Sequence, residues 1–138
     1  MAATINILGV LDDGTLRDPK IPENLGRELR LPWKTDLAIR LLLRHPNGEL
    51  VDLASDANAT FILAVRLRSD DLQNQLKVTG VRNDKRGRGQ VDMTIAATAQ
   101  GQLIPRRYVY DIRVVFNGDT FLAVPLSPFL VQASNALA

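Results

Sequence analysis

The sequence predicts an all-β chain built as an antiparallel β-sandwich of about seven or eight strands, and three observations carry that prediction. In residues 107–116 every second side chain is large and apolar (Tyr108, Tyr110, Ile112, Val114, Phe116), while Asp111 and Arg113 point the other way, as in a strand with one buried face. Asn117-Gly118 then supplies the positive-φ pair of a tight hairpin, and residues 120–126 form the return strand, with Pro125 and Pro128 placing its end near a sheet edge. Runs of the same period recur along the chain with turn residues between them, and no long amphipathic helix alternates with them, which argues against a parallel α/β fold. A small closed barrel satisfies the same pattern.

Taken in order, residues 35–44 alternate strongly, with Leu37, Ile39, Leu41 and Leu43 on one face and Asp36, Arg40 and Arg44 on the other. His45-Pro46-Asn47-Gly48 is turn chemistry, and residues 50–53 read as a short return strand. Residues 54–59 suit a crossing connection to a second strong strand at 60–68, which places Phe61, Leu63, Val65 and Leu67 inward. Ser69 is a plausible cap for one helical turn over 69–76, because Asp70 and Asp71 follow it in the first turn. Short strands are expected at 77–81 and at 90–95, the second with Val91, Met93 and Ile95 on one face. Residues 96–104, small and polar around Gly101, bridge to the hairpin.

Residues 1–34 differ from the rest. Residues 5–10 have the makings of a short strand, but Asp12-Asp13-Gly14-Thr15 is turn chemistry, and Pro19, Pro22 and Pro32 push what surrounds them towards extended backbone. The segment is an extended arm or an extra edge strand. Its apolar residues Ile5, Ile7, Leu8, Leu16, Ile21 and Leu25 are too many for a solvated tail, so they form a candidate interface, together with the single tryptophan, Trp33, at the entry to the first strong strand. Trp33 reads first as a residue that anchors the segment to the sandwich and second as an interface anchor. Residues 35–131 then make the sandwich domain, and residues 132–138 a C-terminal tail.

Length and composition narrow the function classes. A chain of 138 residues buries enough surface for an ordinary core. With no cysteine, thiol catalysis, Cys-ligated metals and disulfides are excluded. The first residues lack the pattern of a secretory signal, and no stretch approaches the ~20 apolar residues of a membrane span, so the expectation is a chain made in the cytoplasm with no membrane partner. Seventeen basic residues against 15 acidic ones leave a formal charge of +2, too little to point to nucleic acid by composition. Most of the basic residues are arginines, which favour contact surfaces over bulk solvation.

No constellation for catalysis emerges. The one histidine, His45, lies in a turn with no nucleophile placed beside it by sequence. Asp12-Asp13 and Asp70-Asp71 are adjacent pairs whose side chains diverge, without the alternating oxygen ligands of a calcium loop. The expectation is a non-enzymatic protein without cofactor or metal. The basic run around residues 82–89, with Arg82, Lys85, Arg86 and Arg88, is the one feature that could track a phosphate backbone, but it contains no aromatic residue to stack a base. A nucleic-acid-binding β-barrel using this loop is therefore the alternative function.

Several segments carry a family resemblance: Asp36-Leu37-Ala38-Ile39-Arg40, then Asn47 to Leu53 with its Gly-Glu-Leu-Val-Asp-Leu return, then Ala59-Thr60-Phe61-Ile62-Leu63, and finally Tyr108 to Ile112 with Asn117-Gly118-Asp119-Thr120. Together they resemble the small immunoglobulin-like domains of tailed-phage virions, with the N-terminal domain of baseplate upper proteins as the nearest pattern. The resemblance covers roughly residues 36–131 and is one of fold, so it carries over no functional residue. It departs in the long N-terminal segment and in lacking a C-terminal extension. What it implies is an Ig-like sandwich located in the virion, partnered with capsid or tail subunits in multiple copies, as decoration or cement on a capsid or as part of a tail or baseplate.

Overall fold

The computed structural model describes residues 3–11, 28–68, 74–83, 89–99 and 103–133. Two sheets pack face to face. The four-stranded sheet runs in the order β1 (Ala3–Val10), β3 (Leu37–Arg44), β7 (Gln90–Ile95), β6 (Val81–Arg82), and the five-stranded sheet in the order β2 (Leu29–Pro32), β9 (Asp119–Gln132), β8 (Arg106–Phe116), β4 (Thr60–Arg66), β5 (Leu76–Thr79). The fold is the all-β sandwich that the alternation predicts.

The core is built from the period-two residues of both sheets. Leu37, Ile39, Leu41 and Leu43 of β3 and Val91, Met93 and Ile95 of β7 meet Phe61, Leu63 and Val65 of β4 and Tyr108, Tyr110, Ile112, Val114 and Phe116 of β8. Removing these apolar side chains from water is the main stabilising term. The hairpin joining β8 to β9 turns at Asn117 (φ 51°) and Gly118 (φ 81°), left-handed at both positions, so its twist matches that of the strands it joins.

Several elements differ from the sequence expectation, each for a local reason. The sandwich is not antiparallel throughout, because β1 runs parallel to β3 and β2 parallel to β9. The N-terminal segment therefore gives one edge strand to each sheet. β9 does not end near Leu126; it continues through Pro125 and Pro128 to Gln132. Only residues 129–132 have a second neighbour, β2, so both prolines lie where no further strand asks for their missing N–H. A bulge accompanies them, with Pro125 and Leu126 together opposing Asp111.

Residues 50–53 form only a single bridge, Leu50 to Arg44, before a 3-10 turn at Leu53–Ser55, where the Asp52 carboxylate accepts from the Ala54 N–H at 3.2 Å. The strand expected at 77–81 is two strands in different sheets, because the chain steps across at Gly80, whose N–H bonds to the Phe61 carbonyl at 2.7 Å. β3 and β4 lie in different sheets, as do β7 and β8, so the crossings expected at 54–59 and 96–104 are present, and a 3-10 turn at Ala97–Ala99 follows β7. The helical turn expected over 69–76 and the tail at 132–138 fall largely outside the described residues.

Gly89 holds the join between β3 and the start of β7. Its φ is +75°, its carbonyl accepts from the Leu43 N–H at 2.8 Å, and a Cβ placed on it would lie 2.6 Å from the Leu43 carbonyl oxygen. Gly89→Ala is expected to cost about 1–3 kcal/mol, because the left-handed backbone and the backbone contact are both penalised. Urea unfolding checks this, as a lower midpoint at unchanged slope.

Candidate functional site

The candidate interface of the N-terminal segment divides in the structure. Ile7 and Leu8 are buried within this chain, and Ile5 is half-buried against its core, so β1 uses these side chains for the chain's own packing. Ile7 and Leu8 are thus covered by this chain itself, on opposite faces of a strand that pairs parallel with β3. Leu16, Ile21 and Leu25 lie outside the described residues. Trp33 is half-buried against the core, donates its indole N–H to the Leu103 carbonyl at 2.9 Å and lies under the Lys34 ammonium at 4.7 Å. Those contacts tie the end of β2 to the β7–β8 connection, the anchoring role expected first.

Of the basic loop, Lys85, Arg86 and Arg88 lie outside the described residues. Arg82 is exposed on β6, yet its guanidinium donates to the Leu53 carbonyl at 3.0 Å. It braces the crossing connection. His45 contributes its backbone to the turn, its N–H bonding to the Glu49 carbonyl at 2.7 Å. Asp12, Asp13, Asp70 and Asp71 are outside the described residues, and among those described no three His, Cys, Asp or Glu side chains gather as a metal site. Among the described residues no helix is long and apolar enough to cross a membrane, a fact that does not bear on strands.

Two groupings were not legible as sites. On the outer face of the four-stranded sheet, a shallow cleft of about 190 Å³ is lined by Thr4, Arg40, Asn83, Asp92 and Thr94, among others. Asp92 accepts from the Asn83 amide at 2.5 Å and pairs with Arg40 at 3.9 Å, so its charge is already answered.

The second grouping is on the outer face of the five-stranded sheet, where Asp111 is only 3% exposed although it points away from the core. Its Oδ2 lies 3.4 Å from Arg66 and 3.8 Å from Arg113, while its Oδ1 is buried with no hydrogen-bond partner. Arg66 also donates to Asn74 at 3.2 Å. The alternation puts Asp111 on the outer face, but no local signal announces that it is buried there, opposite the β9 bulge and against two arginines.

A structural neighbour comes from a phage. The N-terminal domain of phage TP901-1 ORF48 is similar to this chain with a TM-score of 0.49 and 14% identity, over 94% of this chain and 98% of that one. A likeness at that level is one of outline and transfers no residue or role. No family model matches the chain, and no curated protein matches it either.

Arg66 is mostly buried, its side chain 17% exposed, so removing its carboxylate leaves a guanidinium poorly answered. Asp111→Ala is expected to destabilise the domain by about 1–3 kcal/mol, read from thermal or urea unfolding. Adding Arg66→Met to Asp111→Ala is expected to restore part of the loss, since the only guanidinium then left without its carboxylate is the exposed one of Arg113.

Proposed function

We propose that the chain is a non-enzymatic structural component of a bacteriophage virion, docked in many symmetric copies on the capsid, as decoration or cement, or on the tail or baseplate. The observation that carries this reading is the outermost strand of the four-stranded sheet. β1 presents eight residues without a charge or a proline at the end of the strand order. Edge strands of proteins that stay apart are usually blunted by one or the other. An edge free of charge and proline, with no further strand beyond it among the described residues, suits strand addition, in which main-chain hydrogen bonds supply the affinity. On a symmetric particle such contacts multiply, so each can be weak. The resemblance of residues 36–131 to virion Ig-like domains supplies the setting.

Mass spectrometry of purified particles separated into heads and tails tests the reading. High copy number in heads supports decoration or cementing, and low copy number in tails supports an adaptor or baseplate part. Absence from both contradicts the proposal.

A further inference from the structure

The outer face of the five-stranded sheet has a basic, aliphatic character that the core does not require. Strand register places Arg113 directly opposite Leu122, with Val115 one row away on the same face and Leu126 in the bulge beside Asp111. Val115, Leu122 and Leu126 are 36%, 45% and 41% exposed, and the Arg113 side chain is 57% exposed. Among the described residues Asp111 is the one carboxylate at the centre of this face, and it is shared between two guanidiniums, so Arg113 retains positive charge beside an exposed aliphatic corner. Arg107 and Lys77 extend the basic character along the same face.

We infer that this face docks a protein segment in which carboxylates alternate with aliphatic side chains. Arg113 offers a planar fork that takes a carboxylate in two parallel hydrogen bonds, and Leu122 with Val115 offers the apolar surface beside it. The occupant is a protein and not a nucleic acid, because the tyrosines of β8 face the core and the exposed side chains of the corner are aliphatic, with nothing to stack on a base. It meets the face and not the neighbouring edge, because Pro125, Pro128 and the bulge spoil residues 119–128 of β9 for strand addition. This deepens the structural role proposed above and rests on its premise that the chain works by contact. Its test needs no particle, so each can fail without the other.

The test is selection of random displayed peptides on the immobilised full-length chain, followed by affinity measurement with synthesised copies of the enriched peptides. Enrichment of Asp or Glu next to Leu, Ile or Val is expected, with affinity falling at least about tenfold in both Arg113→Glu and Leu122→Asp. Circular dichroism of the two variants, both altered at exposed positions, is expected to match that of the parent chain. Four outcomes overturn the inference: enriched peptides that are neutral or basic, affinity indifferent to both substitutions, no enrichment, or single-stranded DNA that binds as tightly and is lost with the same two substitutions.

Discussion

A chain that begins at Trp33 is expected to remain unfolded. The segment before it supplies Ile7 and Leu11 from β1 and its end, and Leu29 and Leu31 from β2, all at most 4% exposed in the core. At about 1.5–3 kcal/mol for each buried aliphatic side chain, their loss is on the order of 6–12 kcal/mol, comparable with the roughly 5–15 kcal/mol that holds a domain of this size together. The truncation also strips β3 and β9 of their parallel neighbours and leaves two more open edges. Far-ultraviolet circular dichroism and amide proton dispersion measure the outcome. A cooperative unfolding transition in the truncated chain would show that the segment is an arm laid on a finished sandwich.

Phe129→Ala is the single substitution expected to cost most, about 3–5 kcal/mol. Phe129 is fully buried in β9, pairs in register with Leu29 and Tyr108, and meets the Tyr110 ring edge to face at 6.1 Å and 69°. It therefore couples the N-terminal strand of the five-stranded sheet to the central hairpin. A double-mutant cycle with Tyr110→Leu should return a coupling of about 0.5–1.5 kcal/mol for the aromatic pair. Urea unfolding of the four chains gives both numbers, and a loss below 1 kcal/mol for Phe129→Ala would mean that this end of the core is not closed.

Phe129 also shows where sequence reading stops. Alternation located β3, β4, β7 and β8 closely because each has one face in the core and one outside, so hydrophobicity itself records the pleat. β9 breaks that code twice, at bulges that shift its register against β8, and its prolines carry the usual sign of a strand end. Without the bulge, neither the continuation to Gln132 nor the burial of Asp111 can be deduced. β1 was legible as a possible strand but not its partner, because parallel pairing joins residues far apart in sequence and leaves no turn between them. The tyrosines were expected in the core and are there, at 3% and 0% exposure. The exposed side of the same strand, by contrast, shows only as scattered arginines until strand register brings Arg113 beside Leu122.

Electron cryo-microscopy of the particle that carries this chain tests its proposed role most directly. The predicted result is a repeated two-sheet density in which the outer face of the five-stranded sheet, around Arg113 and Leu122, is covered by acidic and aliphatic residues of a neighbouring subunit. A particle without that density would contradict the proposed role, and one in which the chain is attached through the β1 edge alone while this face looks into solvent would contradict the inference about the face.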